Sequence, residues 1–173
     1  MQETMTRETP IDVLNYALTL EHLVAAFYRG GLEEFGAEAF AAEGYAPNVR
    51  DYFALIRDHE EAHVTVIAQV IADLGGEPVA AGRYEFGYRD LEGFLEVAKT
   101  LENMVVSAYE GAVRDLLGEQ AVLTAALTIH GVEARHAAYL NGLTGASPFP
   151  EAFDPPLSPD DVLEIARSYT VPE

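Results

Sequence analysis

The chain of 173 residues has no cysteine and no tryptophan, and its ten basic residues are nine arginines and one lysine, Lys99. Without cysteine there can be no disulfide, no thiolate metal site and no cysteine nucleophile, so any metal must be held through nitrogen and oxygen. With so little positive charge the net charge is −19, which repels nucleic-acid backbones, and no nucleic-acid partner is expected. An acidic surface keeps a protein in solution and suits high salt. The same field also concentrates metal cations, so the charge alone identifies nothing. No apolar run approaches the roughly 18–20 residues that span a bilayer. The opening "MQETMTRETP" has neither a basic n-region nor an apolar h-region. A cytoplasmic protein with no membrane partner is therefore expected, folded as one domain over residues 1–173.

Apolar periodicity is abundant, and all of it is helical. Thr9-Pro10-Ile11-Asp12 reads as a cap, a proline at the first helical position and an acid in the first turn, opening a helix over about 10–31. Its stripe is Ile11, Leu14, Leu18, Glu21, Ala25, Tyr28 and Leu32, and Gly30-Gly31 predicts the stop. A second helix, about 48–75, carries Phe53, Ile56, Glu60, His63, Ile67, Val70 and Leu74 and ends at Gly75-Gly76. A third, about 90–117, carries Leu91, Leu95, Ala98, Glu102, Val105, Tyr109, Ala112 and Leu116. The fourth, about 119–144, carries Val122, Ala126, Ile129, Glu133, His136, Leu140 and Leu143. Ser158-Pro159-Asp160-Asp161 opens a short terminal helix, about 159–169. The link over about 77–89 is longer than bundle connections usually are, and long enough to cross the bundle. The expectation is an all-α four-helix bundle with a long crossover between helices two and three and no β-sheet of consequence.

Each stripe is interrupted near its middle by glutamate, or by glutamate and histidine: Glu21, Glu60 with His63, Glu102, and Glu133 with His136. An unpaired carboxylate at a core phase costs roughly several kcal/mol, so such groups take up protons or find cations. Four carboxylates carry −4 and two divalent cations carry +4, while neutral imidazoles add nothing. The i, i+3 spacing puts each Glu and His on one helix face, a turn apart. One Glu from each of two helices and Glu-x-x-His from each of the other two is the arrangement of di-iron and di-manganese carboxylate bundles.

His59-Glu60-Glu61-Ala62-His63 also fits the H-E-x-x-H pattern of zinc metalloproteases. "HEEAHVTVIAQV" lacks the Gly and third His of the extended form, although a downstream Glu ligand is available. The peptidase reading leaves Glu21, Glu133 and His136 buried without purpose. His59 is then expected beside the ligands or on the surface.

The stretches "LNYALTLEHLVAAFYRGGL", "DHEEAH" followed by "IADLGGEPV", "AKTLENMVVSAYEGA" and "IHGVEARHAAYLNGL", with the tail "PFPEAFDPPLSPDDVL", cover nearly the whole chain. Through them the chain resembles the ferritin-like superfamily of carboxylate-bridged di-metal proteins, and most of all the ferritin-like domain family that includes desiccation-related proteins. Glu21-x6-Tyr28-x-Gly30 recurs as Glu102-x6-Tyr109-x-Gly111, each followed by a Glu-x-x-His helix, the duplicated helix pair that this superfamily implies. The resemblance implies two Fe or Mn ions held by the six residues and bridged by Glu60 and Glu133, with Zn acceptable in a purified form.

The resemblance also implies O2 or hydrogen peroxide as partner, with ferroxidase or peroxidase chemistry in oxidative or desiccation stress. Two alternatives stay open: manganese-catalase-like peroxide disproportionation, and a non-enzymatic metal-binding or stress protein. There is no four-cysteine rubredoxin-like module, so electrons of the rubrerythrin kind would come from another protein. Bundles of this kind often pair, which makes a homodimer one expectation. Tyr28 and Tyr109 have two readings of equal standing, core filling or hydroxyls near the metals with a part in the chemistry. His22 and His130 have no stripe position.

Overall fold

The structure, a computed structural model, describes residues 9–172, so the two ends of the expected 1–173 domain lie outside the described residues. Helix α1 (Pro10–Glu34) starts where Thr9 caps it: the Thr9 hydroxyl accepts from the Asp12 amide at 3.2 Å and the Asp12 carboxylate accepts from the Thr9 amide at 2.9 Å. It does not stop at Gly30-Gly31 as expected but runs on to Glu34. Gly31 faces the Phe94 ring, which occupies the place a β-carbon would take. The ring in turn stacks on Phe27 at a centroid distance of 4.7 Å. Here glycine serves a helix crossing, and the roughly 1 kcal/mol it costs a helix interior is offset by that packing.

Helix α2 (Ala37–Ala42) was not expected, because six residues are too few to display a period. Buried Phe40 anchors it against Phe53 at 5.5 Å. Helix α3 (Asn48–Asp73) has Leu74 as its C-cap, and Gly75 follows at φ 79°, the left-handed stop its sequence predicts. Leu74, placed on the stripe by periodicity, is 47% exposed, so the buried seam ends at Ile71. Helix α4 (Leu91–Ala112), capped by Asp90, tightens into a 3₁₀ turn over Val113–Leu116 instead of continuing as an α-helix to 117. Helix α5 (Gln120–Leu143) follows, and α6 (Pro159–Arg167) is capped by Ser158.

Contacts along the helices give their directions. Tyr28, late on α1, meets Phe53, early on α3, and Ile11 lies beside Gly76 at the far end, so α1 and α3 form an antiparallel hairpin. Asn103 and Asn141 exchange side-chain hydrogen bonds of 3.0 and 3.2 Å, and Glu110 lies 3.5 Å from His130, which makes α4 and α5 antiparallel too. Phe27 against Phe94, and Tyr109 against Glu21, set α4 antiparallel to α1. Helices α3 and α4 therefore run the same way, and the chain between them must travel the length of the bundle.

That crossover lies over α1: Asn15 accepts from the Val79 amide at 2.8 Å and donates to the Glu77 carbonyl at 3.1 Å, and Phe86 and Tyr88 pack edge-on against Phe27. A single bridge, Tyr84 to Thr170, ties it to the tail after α6 and is the sole β-pairing among the described residues. No helix among them is long and apolar enough to cross a membrane.

Candidate metal centre

Midway along the bundle the six expected residues converge. Glu21, Glu60, Glu102 and Glu133 are fully buried, His63 and His136 nearly so. Each comes from the apolar stripe of its own helix, so burial follows from the periodicity that folds the bundle. Two groups form, Glu21, Glu60, His63 and Glu133 in one, Glu60, Glu102, Glu133 and His136 in the other, with donor atoms in each group within 4.8 Å of one another. Glu60 and Glu133 belong to both.

The oxygens divide in a way that gives each glutamate a different part. Glu60 turns Oε1 toward His136 Nδ1 at 3.1 Å and Oε2 toward His63 Nδ1 at 3.7 Å. Glu133 does the reverse, with Oε1 2.9 Å from His63 Nδ1 and Oε2 3.6 Å from His136 Nδ1. Each shared glutamate thus offers one oxygen to each half. Glu21 and Glu102 offer only one apiece, because Tyr109 donates to Glu21 Oε1 and Tyr28 donates to Glu102 Oε1, both at 2.5 Å. Their other oxygens, both Oε2, lie 3.3 Å from His63 Nδ1 and 3.4 Å from His136 Nδ1 respectively. The phenols cross over: α1 orients the carboxylate on α4, and α4 orients the one on α1. Burial and the neighbouring carboxylates raise both phenols well above their ordinary range, so they remain protonated donors.

The inward-facing atoms test the fit to a pair of cations. Glu21 Oε2, both oxygens of Glu60 and Glu133, Glu102 Oε2 and both Nδ1 atoms are buried and have no hydrogen-bond partner in the protein. Several N···O separations are short, yet none of these contacts has hydrogen-bond geometry. Buried polar atoms are nearly always partnered, and so many in one place, all of metal-ligand type, fit a di-metal site.

Left to itself the chain would neutralise the cluster with protons. Burial pushes Glu21 up to about 8, and burial with Glu133 and Glu60 nearby pushes Glu102 well above the carboxylate range. Burial opposes charge on His63 and His136 as well, yet the surrounding carboxylates outweigh it and raise both to about 12. Burial is likewise overcome at Glu133, which contacts with His136 and His63 hold down at about 2. Two carboxyl protons and two imidazolium charges offset −4, as two divalent cations would.

The remaining histidines stand apart from these groups. His59 Nδ1 lies 3.0 Å from His136 Nε2, on the far side of that ring from the carboxylates, and the two rings stack at 5.3 Å with 9° between their planes. His59 is in neither donor group, which removes the H-E-x-x-H arrangement of ligands. His22 lies 3.1 Å from the Val79 carbonyl and His130 pairs with Glu110, both away from the cluster. The half-buried Asn103–Asn141 pair was not anticipated, since nothing in the period of α4 or α5 marks which asparagines face each other.

A family model described as a ferritin-like domain matches residues 9–146. Among solved structures, one of the ferritin-like, diiron-carboxylate proteins from Bacillus anthracis str. Ames superposes with a TM-score of 0.66 at 21% identity, over 79% of this chain and 95% of that one. No curated protein sequence matches significantly. With four-fifths of its length under the family model, the chain belongs to the ferritin-like domain family.

Proposed function

We propose that Glu21, Glu60, His63, Glu102, Glu133 and His136 hold two iron ions and that the protein oxidises Fe(II) with O2 or hydrogen peroxide. The observation that carries this reading is the division of Glu60 and Glu133, each with one oxygen toward each imidazole. Two redox-active cations held side by side supply the electron pair that reduction of a peroxide bond requires. The chain does the rest. Its glutamates and imidazoles fix two adjacent positions, its phenols hold Glu21 and Glu102 as single-oxygen donors, and the apolar stripes keep bulk water away. An oxygen-rich set with two imidazoles suits Fe or Mn and also accepts Zn. Lacking cysteine, the chain has no thiolate centre of its own to return electrons, so a reductant would come from outside.

The test is to count metals in protein from cells supplied with iron and manganese, then follow O2 uptake when Fe(II) is added to metal-free protein. Two irons per chain with O2 uptake is the expected result. Two manganese ions without Fe(II) oxidation would move the reading to peroxide disproportionation. Two metals with neither activity would leave a sequestering protein. One zinc per chain, or none, would overturn the di-metal reading.

A further inference from the structure

His136 turns Nδ1 toward Glu60 Oε1 at 3.1 Å and Glu102 Oε2 at 3.4 Å. An imidazole that gives the Nδ1 lone pair to a cation carries its proton on Nε2, and the hydrogen bond made by that second nitrogen settles the tautomer. For His136 the atom in position is His59 Nδ1, at 3.0 Å with the rings nearly parallel. It must then accept, which puts the His59 proton on its own Nε2. His59 lines a surface cleft with Tyr52, Leu55, Arg135 and Tyr139.

The two repeats differ at this point. His59 immediately precedes Glu60, whereas the residue preceding Glu133 is Val132, whose side chain can accept no hydrogen bond. Ligand for ligand the halves match, yet only one has this support from α3 to α5.

Building on the di-metal reading, we infer that His59 is a positioning residue for His136, fixing its tautomer and ring plane, and that it makes the two metal positions unequal. The position served by Glu60, Glu102, Glu133 and His136 depends on His59, and the position served by Glu21, Glu60, His63 and Glu133 does not. This also accounts for the H-E-x-x-H match: its first histidine acts on a ligand of the facing helix.

The experiment titrates zinc(II) alone into metal-free protein against a competing chelator, for the unaltered chain, His59→Ala and His59→Asn. The asparagine oxygen falls near the place of the imidazole Nδ1 and restores an acceptor. The unaltered chain should bind two zincs. His59→Ala should weaken one of them by about ten- to a hundredfold, as loss of a ligand's hydrogen-bond partner does, and leave the other within a few-fold. His59→Asn should recover most of that loss. Nitrogen-15 spectra of the zinc-loaded chain should show the His136 proton on Nε2. Equal affinities in the unaltered and alanine proteins would overturn the inference and leave the di-metal reading standing. Equal weakening by alanine and asparagine would also overturn it, pointing to lost packing. Failure of the unaltered chain to bind two zincs would remove the di-metal reading and this inference with it.

Discussion

Glu60 and Glu61 are neighbours in sequence with opposite surroundings. Glu60 is fully buried, whereas Glu61 is 45% exposed in its side chain and meets Arg29 at 3.3 Å on the surface. One residue is about 100° of helix rotation, enough to carry a carboxylate from the bundle axis to solvent. Glu60→Ala should therefore abolish two-metal stoichiometry, counted by elemental analysis, while Glu61→Ala should preserve it and lose at most the roughly 0–1 kcal/mol of an exposed ion pair. Equal effects would mean that the helix phase is wrong. The six metal-site candidates were legible because glutamate at a core phase is an anomaly a single stripe reveals. The phenols were legible only as neighbours. Tyr28 shares a stripe with Glu21, yet its hydroxyl reaches Glu102, because partners across the bundle depend on how helices dock and leave no mark in one helix's period. The stacking of His59 on His136 escaped for the same reason.

Among the elements, the four long helices and α6 could be read from stripes and caps, and the departures have local causes. Gly31 reads as a stop in sequence and acts as a crossing in space, and α2 is too short to show a period. Gly30 and Gly111 occupy equivalent places in the repeat but differ in surroundings. Gly30 has only the Tyr88 hydroxyl at 3.7 Å from where a β-carbon would sit, while at Gly111 that carbon would run into the Leu157 carbonyl oxygen. Leu157 is itself tied to α4 by its amide, which donates to the Ser107 carbonyl at 3.1 Å. Alanine gains about 1 kcal/mol over glycine in a helix, but overpacking against backbone costs about 1–3 kcal/mol, so the clash wins. Gly111→Ala should lower the melting temperature by several degrees. Gly142→Ala on α5, where the nearest atom would be Pro148 Cβ at an ordinary 3.9 Å, should leave it unchanged or raise it.

On the scale of the whole molecule, the buried charge couples stability to pH. In metal-free protein Glu21 keeps its proton up to about 8, against 4.5 for the free side chain, and His63 and His136 keep theirs to about 12, against 6.5. Through the window from about pH 6.5 to 8 the native chain holds more protons at these groups than the unfolded chain, so its stability falls as pH rises. The depressed Glu133 acts oppositely, but only between about 2 and 4.5, below this window. Thermal melts of chelator-treated protein should therefore shift downward from pH 6.5 to 8. Protein loaded with two cations, which replace those protons, should lose this dependence. A flat profile in the metal-free protein would mean that the cluster is not proton-compensated.

The crossing of Tyr28 and Tyr109 has a consequence for assembly. The hairpin of α1 and α3 carries Glu21, Glu60 and His63, the hairpin of α4 and α5 carries Glu102, Glu133 and His136, and each donor group borrows a carboxylate from the other hairpin. Neither half-chain contains a complete set, and each relies on the other's phenol to aim its terminal carboxylate. The crossover thus works as a tether, giving two incomplete half-sites an effective concentration of about millimolar or above in place of a chance encounter. Two cations held there would join one hairpin to the other, so the docked pair would be stabilised by whatever the site binds.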